Sequence, residues 1–230
     1  MATPTLTLTR NSRIRTVSRF WPWLLGLCLF LLSGTLLNLF LLWPWMSSWG
    51  ATPQERQKTL PGDDMVPNAN MQTTKALTIR ATPEAIYPWL LQLGVDRGGM
   101  YSYDWLENLF GLNVHTVDTI VPAYQEVSVG DFWRFTPEDY ILNPGPGLYV
   151  RELQPDHAVL LCFGMENQPD EACFYTWQFV LEPQADGSTR LLLRSRMAVE
   201  PELPIKLTYF VQFIMERKML LEIGKRAEGM

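Results

Sequence analysis

Apolar and polar positions divide the chain into two unlike parts. From Phe20 to Gln54 no residue is charged, and Leu24 to Leu42 is almost wholly apolar, interrupted only by Ser33, Thr35 and Asn38. About 20 apolar residues cross the hydrocarbon of a bilayer as a helix, so one spanning helix is predicted over residues 20–46. Trp21 and Trp23 precede the run; Trp43, Trp45 and Trp49 follow it. Trp23 and Trp43 would sit about 30 Å apart at about 1.5 Å rise per residue, and indole rings favour the two faces of a membrane. Pro22 and Pro44 bracket the run, where helix boundaries tolerate proline. A cleaved secretory signal fits less well. Its apolar core runs about 7–15 residues before a small-x-small site, whereas Ser33-Gly34-Thr35 falls inside this run.

Beyond Gln54 the pattern becomes that of a folded domain. Residues 47–72 read as a linker, because Gly50, Pro53, Pro61, Gly62, Pro67 and Asn70 break any period. A strand is predicted over 73–81, with Leu77 and Ile79 on one face. Thr82-Pro83-Glu84 then starts a helix, with Ile86, Trp89, Leu90 and Leu93 on one side. Arg97-Gly98-Gly99 reads as a flexible turn. Tyr101 to Gly111 reads as a short helix in which Asp104 and Glu107 are spaced like a capping box. Strands follow over 132–136, 148–154 and 157–163, with a turn through 143–147. The sharpest β signal is the pair 175–181 and 190–199, joined by the hairpin dipeptide Asp186-Gly187. Their odd positions are apolar while Arg190, Arg194 and Arg196 mark a wet face. A helix from Leu203 to Ala227 closes the chain, with Leu207, Phe210, Val211, Ile214 and Leu221 as its apolar stripe. This order predicts an α+β domain over 73–228, a twisted antiparallel sheet wrapped round the C-terminal helix with a cavity between them.

Charge refines this division. Arg10, Arg13, Arg15 and Arg19 are the only charges before Glu55, so the remaining 15 basic and 24 acidic residues leave the rest at −9. The arginines predict a cytoplasmic basic tail over 1–19 and an extracytoplasmic domain on a single-pass cell-membrane protein. An acidic domain without a basic stripe excludes nucleic acid as a partner. In an oxidising compartment Cys162 and Cys173 can pair; two unpaired, half-buried thiols is the other reading. With three cysteines, two histidines and no C-x-x-C, no metal site is written, and no cofactor is implied. Phosphate-binding glycine loops and the G-x-S-x-G elbow are likewise absent.

The element order, Thr82 to Leu90 after the first strand, and the terminal helix resemble the START/polyketide-cyclase-like (SRPBCC) superfamily. Leu60-Pro61-Gly62-Asp63-Asp64, Arg97-Gly98-Gly99-Met100-Tyr101-Ser102-Tyr103-Asp104-Trp105-Leu106-Glu107-Asn108 and Gly130-Asp131 are similar to a bacterial membrane-associated branch of it. That resemblance, over about residues 60–227, implies the helix-grip fold and a deep cavity for lipids, sterols or polyketides. It includes carriers as well as cyclases and dehydratases, and brings no catalytic set to this chain.

The candidate polar cluster is therefore read from its residue types. Arg97, Tyr101, Tyr103, Asp104, Glu107, Asn108 and His115 can grip a ligand's polar group, or Asp104, Glu107 and His115 can do acid–base chemistry. They can equally be caps, ion pairs and turn fasteners. Trp89, Trp133, Tyr175, Trp177, Phe179, Phe210 and Ile214 are expected to line the inner sheet face, as core or as ligand wall. The expectation carried forward is a membrane-tethered module, joined to the lipid bilayer through residues 20–46, that binds an apolar small molecule or lipid. A cyclase- or dehydratase-like enzyme, and a structural or sensory domain without ligand, are the alternatives.

Overall fold

The computed structural model describes residues 13–141, 145–168 and 172–229; the beginning of the basic tail and part of the turn at 143–147 lie outside them. Helix α1 (Arg13–Leu37) runs through a π-helical turn (Asn38–Leu42) into α2 (Trp43–Ser47). Within it Pro22–Ser47, 26 residues, is long and apolar enough to cross a membrane. A short helix α3 (Pro53–Gln57) follows, closed by a capping box between Thr52 and Glu55.

The domain holds strands β1 (Met71–Ile79), β2 (Phe132–Arg134), β3 (Pro146–Gln154), β4 (Ala158–Met165), β5 (Tyr175–Pro183) and β6 (Thr189–Met197). Helices α4 (Pro83–Leu91) and α5 (Asp104–Leu109) lie between β1 and β2, and α6 (Glu202–Ala227) ends the chain. The strands form one antiparallel sheet in the order β1-β6-β5-β4-β3-β2. Alternation puts Ile79, Leu148, Val150, Val159, Leu161, Phe179, Leu181, Leu191 and Leu193 on its inner face. There they meet α4 and, through Met219, Leu220 and Ile223, the second half of α6. This is the helix-grip arrangement.

Three expectations need correction. The outer face of the sheet is not simply wet. Leu60 and Met65 from the expected linker cover Ala76, Ala158, Leu160, Val180 and Leu192, and Arg194, 1% exposed, binds this segment at Asp63. Residues 53–66 thus form a strap over the sheet. The stripe of α6 is also displaced. Its buried face is Tyr209, Phe213, Glu216, Leu220 and Ile223, repeating every three or four residues, whereas Phe210 and Val211 are exposed. Finally, the Gly98-Gly99 turn is closely built rather than loose. Gly98 N–H donates to Gln92 O at 2.7 Å, and a Cβ on Gly98 would lie 2.6 Å from that oxygen.

Cys162 and Cys173 are joined by a disulfide. It ties β4 to the segment entering β5, beside the packed rings of Phe163, Phe174 and Tyr175.

Candidate functional site

Because one helix cannot fill the concave sheet, a space remains beside the middle of α6. It is an apolar cavity of about 290 Å³ whose walls include Met100, Val114, Phe135, Trp177, Met215 and Met219. Flexible methionine side chains give such a wall an adaptable shape. The polar groups in the lining are Ser102, Glu107, Tyr175, Gln212 and Glu216.

Glu216 belongs to a buried polar network. Its Oε2 lies 2.6 Å from Lys75 Nζ, with both side chains sealed from solvent. Tyr209 OH donates to the same oxygen at 3.0 Å, and Gln212 Nε2 donates to Oε1 at 2.8 Å. Lys75 Nζ also reaches Tyr209 OH at 2.5 Å and Thr73 Oγ1 at 3.3 Å. Tyr175 OH accepts from Trp177 Nε1 at 2.5 Å and from Gln212 Nε2. Burial, reinforced by the Glu216 charge, holds the Tyr175 phenol well above its ordinary range, so it stays protonated at the cavity wall.

Glu107 comes to the cavity from α5. It is 6% exposed, and its Oε2 has no partner among the described residues. Burial, with the Asp104 charge second and the Ser102 hydroxyl opposing, raises its carboxyl to about 7. A carboxyl so placed can donate as the acid or accept as the carboxylate near neutrality.

Two neighbours hold the loop after α5 in place. Asp104 accepts from Thr116 N and Oγ1 at 2.9 and 2.6 Å. Asn108 clasps Val114, with Nδ2 donating to its O at 2.9 Å and Oδ1 accepting from its N at 2.6 Å. The expected capping box is therefore not made: Tyr103 holds the N-cap position with no side-chain cap bond, and both acids are turned to other tasks.

Of the residues singled out in the sequence, the cavity lining brings together Glu107, Tyr175 and Trp177. Tyr101 is buried against Trp89, and its OH accepts from Gln92 at 2.6 Å. Arg97 fastens the backbone, donating to Leu91 O at 3.0 Å and Tyr124 O at 2.5 Å, with its guanidinium over Trp133. Tyr103 lies under Lys218. Trp133 and Phe179 are core. His115 is exposed and outside the lining, and Phe210 is 51% exposed. Ile214 packs instead on Met46, Tyr209 and Phe213. Sequence reading missed Lys75, Gln212 and Glu216. The legible signal was Lys75 itself, a lysine at an inward position of an alternating strand, which demands an acid on the element packed against it.

No family model and no curated protein matches the sequence. Solved structures resemble it at low identity. The Aha1 dimer from Colwellia psychrerythraea shares 22% identity over 67% of this chain and 98% of that one, with a TM-score of 0.38. MLL2253 from Mesorhizobium loti shares 12%, over 69% and 98%, at 0.41. PFC0360w, an HSP90 activator from Plasmodium falciparum, shares 12%, over 67% and 97%, at 0.41.

The Glu107 environment makes a pH prediction. The folded carboxyl binds its proton more tightly than the unfolded one, whose ordinary value is 4.5. The folded state is thus favoured most below 4.5 and loses stability as pH rises toward about 7, with no further change from this group above that. A tenfold difference in proton affinity is worth about 1.4 kcal/mol. Solvent at the cavity mouth reduces the effect, so Glu107→Gln should stabilise the protein at pH 8 by about 1–2 kcal/mol and flatten this slope. Unfolding midpoints of both chains at pH 5 and pH 8 measure it; parallel pH dependence would refute the assignment.

Proposed function

We propose that this protein is a membrane-tethered binding domain that holds an apolar small molecule or lipid in the cavity, with the ligand's one polar group at Glu107. The observation that carries this is the unpartnered, buried Glu107 oxygen among apolar walls. Leaving such an atom unbonded is costly, and a ligand hydroxyl, carbonyl or amine removes the cost. The likeness to the SRPBCC superfamily agrees with a cavity of this type. The apolar helix supports a tether, which would keep the cavity at high local concentration beside a lipid reservoir. The disulfide supports an oxidising compartment and so the domain-outside topology that the basic tail suggests.

Native mass spectrometry of the full chain, released from detergent micelles, tests this reading. A bound small molecule is expected. The neutral probe 1-aminoanthracene should bind competitively with it, and Met215→Trp, which fills the cavity, should weaken the probe at least about tenfold. A wild-type chain that carries no adduct and takes up no probe would end the proposal. One observation favours an acid–base enzyme as second reading: the Glu107 carboxyl titrates near neutrality inside the cavity. Under that reading, the co-purified molecule changes mass on incubation with wild type and not with Glu107→Gln.

A further inference from the structure

The apolar stripe that sequence reading assigned to the core of α6 faces away from it. Leu203, Leu207, Phe210 and Val211 are 47%, 38%, 51% and 62% exposed. They occupy the first half of α6, where Tyr209 and Phe213 pack on Met46 at the end of the hydrophobic helix while Tyr209 also reaches Thr73 and Lys75 of β1. Trp43 meets Tyr209 edge-on at 5.0 Å and Trp45 meets Phe213 at 4.9 Å. Lys206 sits over the Trp43 ring and Arg217 over the Trp49 ring. Around the helix, at about 100° per residue, Leu203, Phe210 and Ile214 come next to this contact line, and Leu207 and Val211 follow. The exposed stripe is therefore continuous with the tryptophan cluster.

That continuity decides what covers the stripe. Tryptophans at the end of a membrane span lie at the level of the headgroups, so the part of α6 pressed against them lies at the same depth. An apolar stripe bordered on its tryptophan side by Arg217 and by Lys206, which pairs with Glu202, is the pattern of a helix lying in the interface, with apolar residues in the acyl boundary and cations at the level of the headgroups. We propose that residues 203–214 of α6 lie along the bilayer surface on the domain's side, with Leu203, Leu207, Phe210 and Val211 in the headgroup–acyl boundary. The proposal rests on the reading of Pro22–Ser47 as a membrane span. With two apolar elements in the bilayer at an angle, the domain is held in one attitude and cannot swing on its tether.

The test uses the full chain with Cys28→Ser, which removes the free thiol and leaves the disulfide. Single cysteines are introduced by Leu31→Cys in the span, Phe210→Cys in the stripe and Ala185→Cys in the β5–β6 turn. That turn lies at the end of the sheet where α6 finishes, Gly224 being packed on Leu77 and Ile79. Each is labelled with an environment-sensitive fluorophore and reconstituted in phosphatidylcholine–phosphatidylglycerol vesicles with and without brominated acyl chains. Positions 31 and 210 should lose about half their emission to bromine, and position 185 almost none. Quenching at 31 without quenching at 210 overturns this proposal and leaves the span intact. No quenching at 31 overturns both. Blue-shifted emission at 210 that bromine does not quench means that protein, such as a second copy of the chain, covers the stripe, and that also overturns it.

Discussion

Glu216→Ala is expected to destabilise the domain by about 3–5 kcal/mol, the range for removing one partner of a buried ion pair. Glu216 and Lys75 are 1% and 0% exposed, so the ammonium left behind cannot reach water. Its remaining neighbours, Thr73 and Tyr209, offer only hydroxyls. Lys75→Met alone should cost less, because the carboxylate keeps its bonds from Gln212 and Tyr209. The double variant Lys75→Met/Glu216→Leu should recover most of the loss, since a buried pair contributes little over an apolar pair of similar volume. Chemical unfolding of the wild type, Lys75→Met, Glu216→Leu and the double variant forms the cycle. Single variants each costing under about 1 kcal/mol would show that the pair is solvated.

The pair also has a position that bears on function. Tyr209 touches Trp43 at the end of the hydrophobic helix on one side and bonds Glu216 on the other. Glu216 in turn orients Gln212, which donates to Tyr175 at the cavity wall. A single chain of contacts therefore joins the apolar helix to the polar groups of the cavity, and the Glu216→Ala and double variants should both alter probe binding even where stability is restored.

How legible this was in the sequence depended on the kind of signal. The sheet strands were readable because alternation and hairpin dipeptides are local; the β5–β6 register, Tyr175 opposite Met197 through Pro183 opposite Thr189, follows from the Asp186-Gly187 turn. The core face of α6 was misread because it contains a charge. Tyr209, Phe213, Glu216, Leu220 and Ile223 have helical spacing, but Glu216 makes that face look wet until Lys75 is placed opposite it. The competing stripe through Phe210 and Val211 is as apolar as any core face, and nothing in periodicity separates a face turned to protein from one turned elsewhere. Asp104 and Glu107 looked like caps because their spacing fits one; their real partners, Thr116 and the cavity, are set by the path of a loop without periodicity. The strap was hidden for a similar reason: its covering residues, Leu60 and Met65, are isolated among breakers.

Arg194→Met is expected to loosen that strap and cost about 3 kcal/mol. The guanidinium is 1% exposed and donates to Asp63 Oδ2 at 2.7 Å, Lys58 O at 2.8 Å, Glu55 O at 2.7 Å and Thr74 Oγ1 at 3.2 Å. Methionine fills a similar volume but leaves the Asp63 carboxylate and the carbonyls of Lys58, Glu55 and Arg56 without this donor. Arg194→Lys should rescue little, because an ammonium cannot fork to groups on two sides. The effect should be regional. Amide exchange should rise by at least about tenfold over residues 53–66, while strands β4 and β5, each hydrogen-bonded to a neighbour on both sides, keep their protection. Arg190→Met tests the strap at its start: Arg190 grips both Glu55 oxygens at 2.7 and 3.0 Å and Gly50 O at 2.6 Å, so its loss should raise exchange around Glu55 as well. Uniform exchange across the whole domain would instead mean that Arg194 supports the sheet and the strap merely lies on it.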